Sequence, residues 1–134
     1  MTKRQGIIDE LENRLKTALS DISIQRGFGQ PIPKDYPSIF IIEGVEKVTE
    51  PSLGMYSRDL LALIHYFIQS DEETMYEDAN TALIDIQEAV DIDYDFAGLS
   101  INYGIIETQI IPQGDRAVII TAYHFRFLEQ KILD

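Results

Sequence analysis

Asp91, Asp93 and Asp95 stand at alternate positions, the spacing with which a calcium-binding loop begins to grip a hard cation through carboxylate oxygens. Such a loop also needs Gly in sixth place and Glu in twelfth, where this chain has Phe96 and Asn102. The run therefore reads as solvated acids, and no metal is expected. His65 and His124 are the only histidines, and each sits inside an apolar strand pattern. No H-x-x-x-H or carboxylate–His spacing accompanies them, so a zinc site lacks ligands. Neither pattern holds a Ser or Thr in a turn that could make it a nucleophile for a histidine base. Packed or hydrogen-bonded strand histidines are the expectation. Gly27 and Gly29 around Phe28 are too few for a dinucleotide fingerprint, and no helix opens after them. Carboxylate pairs such as Glu72 and Glu73 could in principle serve a glycosidase, but those enzymes use aromatic platforms and the chain has no Trp. Neither an enzyme nor a cofactor is expected.

Acidity dominates the rest of the chemistry. The formal charge is -12, from 23 acidic and 11 basic residues. Residues 59–115 hold thirteen of the acids and no Lys or Arg, so nearly all the net charge belongs to one continuous block. A surface that negative repels nucleic-acid backbone; it suits a basic partner, or a wall past which DNA slides. The basic residues before the block, from Lys3 to Arg58, are interspersed with acids and make no nucleic-acid-binding stripe. They suit an acidic surface, such as that of an identical neighbour. The absence of cysteine rules out disulfides, thiolate metal sites and a Cys nucleophile, which fits a reducing cytoplasm. The opening residues lead into an amphipathic pattern rather than an apolar h-region, so no secretory signal is expected. No run approaches the roughly 18 apolar residues that span a bilayer, so a soluble protein without membrane contact is expected.

The elements that must carry these residues follow from periodicity. Ile7, Leu11, Leu15 and Ala18 make one stripe of a helix over 2–19, opened by a Thr2/Gln5 capping box. Ile22 and Ile24 alternate with polar residues as a short strand. Three prolines and two glycines make 27–37 a loop, with Phe28, Ile32 and Tyr36 as exposed apolar side chains. Residues 38–49 and 55–69 read as a long hairpin around a turn at 50–54. In its second strand Leu61, Leu63, His65 and Phe67 share one face, and Leu60, Ala62, Ile64, Tyr66 and Ile68 the other. Such a strand is central or covered on both sides. Ser70 and Glu73 match a second capping box, followed by a helix to about residue 90 whose solvent face carries Glu77, Asp78, Asp85 and Glu88. A second hairpin joins 104–111 to 116–128. The sum is a single α+β domain, a two-layer sandwich in which two helices cover one mostly antiparallel sheet of two hairpins plus a short strand.

Asp35, Tyr36, Pro37, Ile39, Ile41, Gly44 and Glu46 form an Asp-aromatic-Pro strand start that alternates apolar residues up to a Gly-x-Glu. With the order of elements, this resembles the tail terminator family of long-tailed bacteriophages, the lambda-type minor tail proteins. The resemblance implies a structural virion protein that forms a ring, typically hexameric, at the head-proximal end of the tail tube. There it would stop tube polymerisation and meet the head connector, while DNA passes through the bore without sequence-specific binding. Its partners would be itself, the tail tube protein and the connector. Under that reading some of Glu72, Glu73, Glu77, Asp78, Asp91, Asp93 and Asp95 line the bore or the docking faces, and the Phe28, Ile32 and Tyr36 loop touches a neighbour. Two other roles share the same features: another head–tail neck or head-completion ring protein, and an acidic inhibitor that mimics DNA or neutralises a basic toxin.

Overall fold

The computed structural model describes residues 2–27 and 31–131. The chain runs α1 (Lys3–Ala18), β1 (Ser23–Gly27), β2 (Ser38–Ser52), β3 (Met55–Gln69), α2 (Met75–Val90), β4 (Asn102–Gln113) and β5 (Arg116–Gln130). The five strands form one sheet in the order β1-β2-β3-β5-β4. Only the short β1 runs parallel to its neighbour; every other pairing is antiparallel. Both helices lie on one face, which gives the two-layer α+β architecture expected from the pattern.

Local chemistry starts each element. Thr2 caps α1: its hydroxyl accepts from the Gln5 amide at 3.1 Å, and Gln5 accepts from the Thr2 amide at 3.0 Å. Two orphan donors are satisfied at once. Ile7, Ile8, Leu11 and Leu15 then turn inward and are fully buried, whereas Ala18 is exposed. Gly54 (φ 85°) and Gly114 (φ 71°) supply the left-handed turn residues of the two hairpins. The β3 strand is central. Its Leu60, Ala62, Ile64, Tyr66 and Ile68 meet Ile39 and Ile41 of β2 and Ile119, Tyr123 and Phe125 of β5 beneath the helices, and this is the core.

A bulge interrupts the β2–β3 ladder between Glu43 and Glu46. Arg4 of α1 reaches it, donating to Glu43 at 3.0 Å and Glu46 at 2.9 Å. Gly44 is there for space. A Cβ on it would stand 3.0 Å from Leu61 Cδ2 and 3.1 Å from the Leu61 carbonyl, which as backbone cannot swing away. Gly44→Ala is therefore expected to cost about 1–2 kcal/mol in urea denaturation, an overpacking penalty. An unchanged midpoint would show that the bulge yields freely.

The capping box expected at Ser70 does not form. The α2 helix begins at Met75, after Thr74, whose side chain makes no capping bond. Ser70 still belongs to the sheet end, its amide donating to the Asp115 carbonyl at 2.8 Å. Its hydroxyl, with that of Thr74, turns to the Asp78 carboxylate in the first helical turn. A helix acid thus holds the preceding loop, the reverse of the expected polarity, and Glu72 and Glu73 stay outside the helix.

Candidate functional site

The seven acids singled out by sequence fall into two groups. Glu72, Glu73 and Glu77 are exposed, and none of them makes an ion pair among the described residues. The others have internal work. Asp78 holds Ser70 and Thr74. Asp91 accepts from the buried Tyr123 hydroxyl at 3.2 Å. Burial pushes the Asp91 carboxyl above its ordinary value, against the pull of that bond and of Arg14, and burial with Asp91 nearby pushes the Tyr123 phenol up as well. Asp95 is half-buried, and its carbonyl accepts from the Ser100 amide at 3.0 Å.

Asp93 is the best-tied of them. It takes Arg14 Nη1 at 3.0 Å and Nη2 at 2.9 Å in a two-pronged pair, and accepts the amides of Phe96 (3.1 Å) and Ala97 (2.8 Å). Those two amides belong to left-handed residues, φ 49° and 57°, a conformation costly for a bulky side chain. The Phe96 ring offsets the cost by complete burial, 4.7 Å from Phe125 and 4.9 Å from Tyr103, with the Arg14 guanidinium 4.1 Å above it. Arg14 itself is 6% exposed and also donates to Glu10 (2.7 Å) and the Val90 carbonyl (2.8 Å). Burial alone would lower its pKa, but the bonds to Asp93 and Glu10 outweigh that and raise it. This cluster clasps α1 to the exit of α2. So Asp91 and Asp93 face different internal partners rather than a common ion. Among the described residues no group of three ligating side chains could hold one metal.

The bond from Arg14, partly opposed by burial, draws the Asp93 carboxyl down to about 2. A carboxyl depressed in the folded state stabilises the fold above its unfolded value near 3.9, and that contribution fades as pH falls through about 2. Asp93→Asn should thus be less stable than the parent at neutral pH and lose most of that deficit toward pH 2, followed by thermal melts across the range. A deficit independent of pH would remove the ionic part of the account.

The second feature is the sheet face away from the helices. Leu61, Leu63, His65 and Phe67 of β3 point there, opposite Phe40 and Ile42 of β2 and Val118, Ile120, Ala122 and His124 of β5. Ile42, Phe67, Val118 and Ala122 are buried by each other yet lie outside the helix-side core; Phe40, Leu61, Leu63 and Ile120 are half-exposed. No helix or strand of the described chain covers this face. Of the two readings of β3, centrality holds and double coverage does not. His65 is half-buried there, its ring 6.3 Å from Phe67, and burial lowers its pKa. His124 bonds Asp59 at 3.2 Å.

No protein-family model matches this chain, and no curated protein does either. Local chemistry must therefore carry the functional reading.

The loop before β2 borders the open face. Ile32 is 84% exposed, as expected. Tyr36 is not fully exposed: its ring stands edge-on to Phe67 at 6.4 Å and lies under the Arg116 guanidinium at 4.6 Å, because the following strand carries it back to the sheet end. Phe28 lies outside the described residues. Arg14 was missed by sequence reasoning, though its place seven residues after Ile7 and one before Leu15 puts it on the apolar stripe.

Proposed function

We propose that this chain is a structural ring subunit of a long-tailed bacteriophage. Six copies would cap the head-proximal end of the tail tube, end its polymerisation and offer the opposite side to the head connector. The observation that carries an assembling role is the open apolar face centred on Leu63, His65 and Ile120, a surface that monomeric proteins rarely leave uncovered. The exposed acids Glu72, Glu73, Glu77 and Glu88 support the second half of the reading, since carboxylates facing a bore keep DNA from adhering as it passes. The phage assignment comes from the resemblance at residues 35–46 and from the order of elements.

The test is electron microscopy of purified tail tubes incubated with the protein, alongside light-scattering mass of the protein alone. Rings, or density at one tube end with growth halted, are the expected result. A chain that stays monomeric at every concentration, leaves both tube ends bare and instead captures a basic protein is an acidic inhibitor.

A further inference from the structure

The two outer surfaces of the layers are unlike in charge. The described chain has five cations with no carboxylate partner: Lys3, Lys34, Lys47, Arg116 and Arg126. Lys3 donates to the Leu128 carbonyl. The other four surround the open sheet face. Lys47 and Arg126 flank Asp59 across the ladder at one end, and Arg116 and Lys34 stand at the other, near Tyr36 and Phe40. Carboxylates are present too: Asp59, engaged by His124, and Glu107 on the face, and Asp35 and Asp115 in the adjoining loops. The outer side of α2, by contrast, has no cation at all. At 100° per residue Glu77, Ile84 and Glu88 share its outermost line, with Glu72 and Glu73 just before the helix. Ile84 is 50% exposed and Tyr76, on the flank, 74%.

We infer that the open sheet face of one copy seats on the outer face of α2 of the next copy. The contact puts Ile84 and its flanks against the apolar centre around Leu63 and Ile120, and brings Glu77 and Glu88 toward the unpaired Lys and Arg. Two different patches on opposite layers of one protomer make the contact head-to-tail, the kind that closes into a ring when the rotation between copies is right and grows a filament when it is not. A sheet-to-sheet pair would instead leave the acids of α2, which have no cation near them, unanswered. The inference rests on the assembling role proposed above and names the surfaces that perform it.

Because the natural chain has no cysteine, one introduced on each face reports the contact without ambiguity. Ile120→Cys and Ile84→Cys, both at exposed or half-exposed positions, would be purified separately, then mixed under mild oxidation. The expected result is disulfide-linked dimer in the mixture and none in either variant alone, with the yield falling as salt screens the charges. Dimer from Ile120→Cys alone means sheet-on-sheet pairing and overturns the inference while leaving an assembling role intact. No dimer in any sample, with rings still visible, also overturns it. Filaments carrying the expected cross-link keep the inference and remove the closed ring. A second pair, Lys47→Glu with Arg126→Glu on one protein and Glu77→Lys with Glu88→Lys on the other, checks the charges: each should assemble poorly alone and recover when mixed. Assembly of either alone at the parent level overturns the charge pairing.

Discussion

Arg14→Met is expected to lower the unfolding free energy by about 3 kcal/mol, because breaking a buried, hydrogen-bonded charge pair strands the partners that remain. Methionine keeps an unbranched apolar stem, so the loss reports the guanidinium, its contact with the Phe96 ring included. Asp93 keeps only the amides of Phe96 and Ala97 on its carboxylate, and the Val90 carbonyl loses its buried donor, since the single Tyr103 hydroxyl hydrogen has its shortest acceptor in the Asp93 carbonyl at 2.6 Å. For a domain of this size the melting temperature should fall by roughly 10 °C. Arg14→Lys should recover only part of this, since an ammonium cannot address Glu10, Asp93 and the Val90 carbonyl with one planar fork. A fall of less than about 1 kcal/mol in Arg14→Met would mean that the clasp is a surface ornament with the usual small value of exposed ion pairs.

The second large effect concerns association rather than folding. Leu63→Lys places an ammonium at the middle of the open face, between Ile42 and Ala122. If this face is the centre of a contact between copies, the dissociation constant should rise about thirtyfold or more, the scale of a lost interface anchor. The fold should survive, because a lysine at a half-exposed position lays its stem on the sheet and keeps its charge in water. Leu60→Lys, three residues away on the opposite face and fully buried beneath the helices, should instead fail to fold. Sedimentation across a concentration series, with circular dichroism as the folding control, separates the two. Identical association of Leu63→Lys and the parent would take the face out of the assembly.

Much of the architecture was legible because the hydrophobic periods are clean. Apolar rows on both faces of 60–68 point to a strand that is central or covered on both sides, of which centrality holds, and the glycine turns set both hairpins close to their observed limits. The failures came where a polar side chain had a distant partner. Ser70 and Glu73 fit a capping box by spacing, yet Ser70 is still bonded to the far hairpin through the Asp115 carbonyl, which delays the helix. Asp91 and Asp93 read locally as free acids, but their partners Tyr123 and Arg14 lie far away in sequence. Tyr36 looked exposed because nothing local predicts that the chain folds it back against Phe67. The open face was visible as a second apolar row in β3, but only the position of both helices decides that it stays bare.

That bare row has a consequence for how the chain is made. During synthesis the β2–β3 hairpin leaves the ribosome well before β5, and Met55 must wait for Gln130 before the central ladder can close. Until then β3 is a sheet edge as well as a strand apolar on both sides, the combination most prone to pair with another unfinished chain. Chaperone capture should therefore concentrate on nascent chains that end between β3 and β5.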